Sequence, residues 1–269
     1  MKTRIISSLI MVPLLGLVLL GGIPLFLAVA AISFIAMHEF YKGFEHMDIH
    51  PMRIAGYIFG AMLLGVIFIF LFSDADTEKL SEGLLLWVFV TTAGGLSLSL
   101  FLKDHDIVDS LVTITGVIYL PFFFMHVALI DRLPENSGMI WLVFITAFCT
   151  DIFAYFAGML FGQHKLCPEI SPKKTIEGSI GGIAGSVCIS GIFGQLLFPQ
   201  HIAGCLMMGL IGSIFAQCGD LIASSFKRKM GIKDYGNLIP GHGGILDRFD
   251  SVVLTAPFIY YYIVLFINR

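Results

Sequence analysis

Apolar runs long enough to cross a bilayer recur along the chain at about 5–21, 24–40, 54–73, 84–102, 109–130, 139–161, 178–198, 203–226 and 252–268. Each approaches the roughly 20 residues that a spanning helix needs. The pattern predicts an all-α, polytopic integral membrane protein with about nine transmembrane helices. Lys2 and Arg4 precede the first run, as they would in a signal peptide. A second run follows directly after Gly21-Gly22-Ile23-Pro24, however, and no A-x-A-like cleavage site stands there. A retained helical hairpin is therefore expected.

The polar positions between the runs set the orientation. With the N-terminus in the cytoplasm, the inside segments hold Lys2, Arg4, Lys42, Arg53, Lys103, Lys165, Lys173, Lys174, Lys227, Arg228, Lys229, Lys233 and Arg248. Only Lys79, Arg132 and Arg269 fall outside, together with the acidic loop Asp74-Ala75-Asp76-Thr77-Glu78. That is the bias of the positive-inside rule. The two long polar stretches, about 162–177 and 227–251, are then both cytoplasmic. No linker or low-complexity tract divides the chain, so residues 1–269 read as a single membrane domain, with 1–138 mainly scaffold helices and 139–269 the catalytic half.

Composition agrees with lipid as the solvent. The 269 residues are 57% hydrophobic and 13% charged, against about 25% charged in soluble domains. The net charge of −3 comes without a basic tail or basic domain, which argues against nucleic acid as a partner. The five cysteines (Cys149, Cys167, Cys188, Cys205 and Cys218) lack CxxC spacing, so neither a zinc site nor a disulfide framework is suggested.

Two charges fall where lipid should be. Asp151 lies within the sixth run and Asp220 within the eighth. An aspartate at the centre of a span costs about 2.5–3.5 kcal/mol on insertion scales, so such residues face a protein interior or a polar cavity. Asp220, Ser224, Lys227 and Arg228 share one helical stripe, leading from an acidic point to a basic mouth. Asp247, Asp250 and Ser251 cluster where the last helix is expected to begin; for Asp250, capping that helix is at least as good a reading as metal binding. Carboxylates beside Lys and Arg suit Mg²⁺ and phosphate oxygens, and so phosphoryl or nucleotidyl transfer. An ion-coupled transporter would also carry aspartates in its helices.

The glycines refine this reading. Pro240-Gly241-His242-Gly243-Gly244 is a side-chain-poor loop whose backbone N–H groups can approach phosphate closely. It is neither a GxGxxG fingerprint nor a Walker A loop, and Ser171-Pro172-Lys173-Lys174-Thr175 lacks the glycine that a P-loop requires. Gly178, Gly181, Gly182 and Gly185 form a small-residue ridge suited to close helix packing.

From Ser225-Phe226-Lys227-Arg228 through Lys233-Asp234 to Leu238-Ile239-Pro240-Gly241-His242-Gly243-Gly244-Ile245-Leu246-Asp247-Arg248-Phe249-Asp250, the chain resembles the signature of the phosphatidate cytidylyltransferase (CDP-diacylglycerol synthase) family. Asp151 with Ala154-Tyr155, and Ser171 to Gly178, are similar to that family as well; in the first half His38-Glu39-Phe40 is a weak echo. The resemblance implies that CTP and phosphatidate give CDP-diacylglycerol and pyrophosphate with Mg²⁺, at a site on the cytoplasmic side of a bacterial membrane. A second, monovalent cation and a homodimer are compatible with it.

On this reading Asp220 and Asp247 are the metal ligands, with Asp151 a further ligand or network partner. Lys165, Lys174, Lys227, Arg228, Lys233 and Arg248 contact phosphates, and Lys227, Arg228, Lys233, Gly241, Gly243 and Gly244 bind the nucleotide. His242 either acts on a leaving phosphate or hydrogen-bonds its own loop. Lys173 and Lys229 are assigned as plain membrane anchors. The rival enzyme is a CTP-dependent lipid or polyprenol kinase, which would release CDP instead of pyrophosphate.

Overall fold

The computed structural model describes residues 16–73, 77–133, 135–238 and 243–268. Among these residues eight helical segments are long and apolar enough to cross a membrane, as expected of a multi-pass integral membrane protein. The expected run at about 5–21 lies mostly outside the described residues, and residues 74–76 of the acidic loop do too. The chain forms two compact units, Met1–Arg132 with Met230–Arg248, and Leu133–Lys229 with Phe249–Arg269.

The first unit contains α1 (Gly22–Phe44), α2 (Arg53–Phe72), α3 (Thr77–Phe101) and α4 (Ile107–Val117), the last continuing through a π-helical turn (Ile118–Phe122) into α5 (Phe123–Asp131). Pro121 sits within that turn, where a residue without an N–H fits because the α-helical ladder is already interrupted. α4 opens with a reciprocal cap: the Asp106 carboxylate accepts the Val108 and Asp109 N–H groups, and Asp109 accepts the Asp106 N–H. Such caps contribute about 1 kcal/mol each. Asp109 also accepts the His50 N–H at 2.7 Å, which fixes the α1–α2 connection. In the core, the buried Tyr41 hydroxyl donates to the Thr113 carbonyl at 2.7 Å. Its ring lies so close to Gly56 and Gly116 that a Cβ at either position would collide with it.

The second unit contains α6 (Ile140–Phe161), β1 (Lys165–Cys167), β2 (Ser171–Thr175), α7 (Ile176–Leu197) and α8 (Ile202–Lys229). α9 (Leu246–Tyr262) ends in a π-helical turn (Ile263–Ile267), and from Phe249 onward it belongs to this unit. The polar stretch 162–177, read from sequence as a loop, is an antiparallel hairpin with Lys165 opposite Thr175 and Cys167 opposite Ser171. Pairing satisfies backbone groups that a tight return between two spans would otherwise leave to water. Thr175 then caps α7, its hydroxyl oxygen accepting the Gly178 N–H at 3.1 Å. Glu177, in the first turn of α7, accepts the N–H groups of Gln163 and His164 and so binds the hairpin to the helix.

The glycine ridge packs α7 against α6. A Cβ on Gly182 would sit 2.8 Å from the Thr150 carbonyl oxygen, and one on Gly178 would sit 2.8 Å from that of Ala154. These are backbone atoms that no rotamer change can move, so the helices would have to part. Gly182→Leu is expected to destabilise the protein by about 1–3 kcal/mol. At about 2–4 °C per kcal/mol, a thermal melt of the purified variant in detergent should read that loss. A midpoint that stays put would show the close packing to be dispensable.

Candidate active site

In the second unit, Asp151 near the middle of α6 and Asp220 on α8 line one cavity of about 400 Å³. The other walls are Lys173, Lys174 and Thr175 of β2, Ser179 of α7, Gln217 of α8, and an apolar side that includes Ala154, Tyr155, Met159 and Leu166. Lys174 forms an ion pair with Asp220 Oδ2, and Asp220 Oδ1 accepts the Ser224 hydroxyl at 3.2 Å. Ser179 donates its hydroxyl to the Gln217 side-chain carbonyl.

Asp250 joins this cluster through a glycine. A Cβ on Gly219 would collide with the Asp250 carbonyl oxygen, so only a glycine lets the α9 backbone lie this close to α8. The Asp250 carboxyl is buried and interacts electrostatically with Asp220, Lys227 and Asp151. The Ser251 hydroxyl lies between carboxylates, 3.2 Å from Asp151 Oδ2 and 3.4 Å from Asp250 Oδ1. Capping the last helix was one of the two readings open for Asp250, metal binding being the other. That helix begins at Leu246, which puts Asp250 beyond the first turn and outside the capping position.

The remaining predicted residues divide between the units. Lys227 is buried on α8, Arg228 donates from Nε to the Ile170 carbonyl at 3.1 Å, and Lys165 is exposed on β1. Lys173, read as an anchor, lines the cavity. In the first unit Lys233 is exposed, and Asp247 accepts the N–H groups of Tyr235 at 2.8 Å and Gly244 at 2.9 Å through Oδ2. The Gly244 amide, expected to face phosphate, is thus occupied by Asp247. Among the described residues the buried Nε of Arg248 has no hydrogen-bond partner, and it is a donor suited to an anionic ligand. Gly241 and His242 lie outside the described residues.

Sequence reasoning met Glu39 only within the weak echo His38-Glu39-Phe40 and gave it no role; it is a buried carboxylate on α1 that accepts the N–H groups of Ile245 and Leu246. Its signal was present: an acidic residue in an apolar run asks for a partner as much as Asp151 does.

Mg²⁺ suits the donors in the second unit, oxygen ligands beside cationic side chains. Among the described residues no three His, Cys, Asp or Glu side chains form a complete metal-binding group. Mg²⁺ does not demand one, because it keeps waters and shares its shell with substrate phosphates.

Helices long and apolar enough to cross a membrane, with paired carboxylates and lysines lining a cavity, describe an integral membrane protein with a charged pocket. The chain belongs to the cytidylyltransferase family, whose profile it matches over residues 2–266. It is 33% identical over 264 residues to the phosphatidate cytidylyltransferase of Staphylococcus saprophyticus, covering 96% of each chain. It is 47% identical over 124 residues to that of Bacillus subtilis, covering 45% of this chain and 46% of the relative. With that of Synechocystis sp. it shares 49% identity over 127 residues, 46% of this chain and 42% of the relative. In the latter two matches this chain spans less than half the length of the relative.

Proposed function

We propose that the protein is a phosphatidate cytidylyltransferase, transferring CMP from CTP to phosphatidate to give CDP-diacylglycerol and pyrophosphate. Its full-length similarity to a protein of that name supports the reading. So does a cavity that sets Lys173, Lys174 and Asp220 beside Tyr155, Met159 and Leu166. One substrate is a lipid held in the bilayer and the other a highly charged, water-soluble nucleotide, and a pocket with one charged wall and one apolar wall can receive a phosphate attached to a lipid.

In the reaction an oxygen of the lipid phosphate attacks the α-phosphorus of CTP. A new phosphorus–oxygen bond forms there as the bond to the leaving pyrophosphate breaks. Both reactants are anions, so alignment and charge neutralisation carry the catalysis. Lys174 and Lys227 hold phosphate oxygens against their mutual repulsion, with Lys173 at the cavity rim. Arg248 and Lys233, both in the first unit, are the further phosphate contacts expected from the sequence. Asp220, named from the sequence as a ligand, and Asp250, with Asp151 as a network partner through Ser251, would hold Mg²⁺ in the second unit; Asp247, the other ligand named from the sequence, lies in the first unit. When bound, the ion would neutralise developing charge on the phosphates. The site is assigned to the cytoplasmic face of a bacterial membrane, because the Lys165–Lys174 segment and the Lys227–Lys229 end of α8 carry the positive-inside bias.

The deciding experiment incubates purified protein with CTP labelled at the α-phosphorus, phosphatidate and Mg²⁺. Label in the lipid fraction with release of pyrophosphate is the expected result. CDP without labelled lipid would identify a kinase, and ion flux in liposomes without CTP turnover would identify a transporter.

A further inference from the structure

The start of α9 is held by two carboxylates, and one of them comes from far away in the chain. The first N–H groups of a helix have no partner inside it. Here Glu39 Oε1 accepts the Ile245 N–H at 3.0 Å and Oε2 accepts the Leu246 N–H at 2.9 Å, while Asp247 Oδ2 accepts the Gly244 N–H next to them. Three consecutive amides are thereby fixed by acidic side chains, an arrangement the dipole at a helix N-terminus favours.

Glu39 reaches this position only because two residues there lack side chains. A Cβ on Gly236 would lie 2.7 Å from Glu39 Oε1, and one on Gly244 would collide with the carboxyl group outright. Gly236 follows Tyr235, whose own N–H is bound by Asp247. One buried acid on α1 is therefore enclosed by both ends of the segment that carries Lys233, Asp247 and Arg248.

We infer that Glu39 is a positioning residue of the site: its carboxylate fixes the start of α9 and so sets the orientation of Asp247. The inference rests on the cytidylyltransferase reading for its effect on rate, although not for its effect on the loop. It makes α1, read from sequence as scaffold, part of the functional machinery.

The test uses Glu39→Gln in the purified full-length chain, with Gly236→Ala beside it. Glu39→Gln keeps the size of the side chain but loses its charge and one acceptor; Gly236→Ala crowds the carboxylate without removing it. The first readout is amide hydrogen exchange over residues 243–248. Exchange at Ile245 and Leu246 should quicken about tenfold or more, as expected when a protecting bond is lost, with α2 and α6 unchanged. The second readout is steady-state transfer: kcat should fall about 10–100-fold and the Mg²⁺ half-saturation should rise, as for outer-shell partners in general, with the KM for phosphatidate nearly unchanged.

A merely stabilising residue would reduce the yield of folded protein without altering the Mg²⁺ dependence of what remains. Unchanged exchange at Ile245 and Leu246 would overturn the inference, as would faster exchange with kcat and Mg²⁺ dependence intact. If Glu39→Gln does not fold, Gly236→Ala decides by the same two readouts. Should the wild-type protein make no labelled lipid, the cytidylyltransferase reading fails on its own, and the exchange data still decide whether Glu39 holds the loop.

Discussion

Asp220→Asn should lower cytidylyl transfer by about 10²–10³-fold, the usual loss when one electrostatic group of a preorganised site is removed. The substitution is nearly isosteric, so packing on α8 is preserved and the Ser224 hydroxyl keeps an acceptor within reach. What disappears is the charge. Lys174 loses the carboxylate that now holds it at the cavity wall, and a hard cation loses an anionic oxygen ligand. Rates at increasing Mg²⁺, measured on protein that elutes as a single species, separate this from misfolding. A rate within about threefold of wild type would remove Asp220 from the mechanism while leaving the reaction itself standing. Lys174→Ala in the same background supplies the cycle: because the two side chains share one ion pair, their effects should fall well short of additive.

Asp250→Asn should be nearly as damaging to activity, and it should also make the protein more heat-stable. Asp250 is buried and interacts with Asp220 and Asp151, both acids, against one cation, Lys227. Like charges gathered in a dry site oppose folding, and sites of this kind are kept for function at a cost in stability. A neutral amide relieves that opposition while still accepting the Ser251 N–H that Asp250 accepts now at 2.8 Å. With about 1 kcal/mol recovered, the midpoint should rise by about 2–4 °C. Loss of activity with a lowered midpoint would instead make Asp250 a structural residue whose main partner is Lys227. Retained activity would exclude it from the site.

Most of the architecture was legible in the chain. Long apolar runs leave a segment in lipid no choice but to close its own hydrogen bonds, so the spans at 53–72, 140–161 and 176–197 fall within about two residues of where hydropathy put them. The glycine ridge on α7 was legible for a related reason: four small residues at helical spacing have little use except close approach. The 165–175 hairpin was not, because a short polar stretch carries no periodicity strong enough to distinguish a strand from a loop.

The candidate site was readable as a set of residues and not as an arrangement. Asp151 and Asp220 stood out because charge in an apolar run is costly enough to need a reason, and the 225–250 segment stood out by resemblance. Which carboxylates meet was decided by tertiary structure. Asp220 is joined by Asp250 because Gly219 admits the α9 backbone, a contact that depends on a missing side chain some thirty residues away and leaves no pattern in hydropathy. Glu39 meets the start of α9 across a separation of 206 residues to Ile245. Sequence by itself determined that this is a multi-pass helical membrane protein of a recognisable kind, because the choice of solvent is written in composition and run length. Only the tertiary structure decided which acid faces which cation and which acid holds a helix end, because those pairings follow from backbone distances that no local stretch of sequence contains.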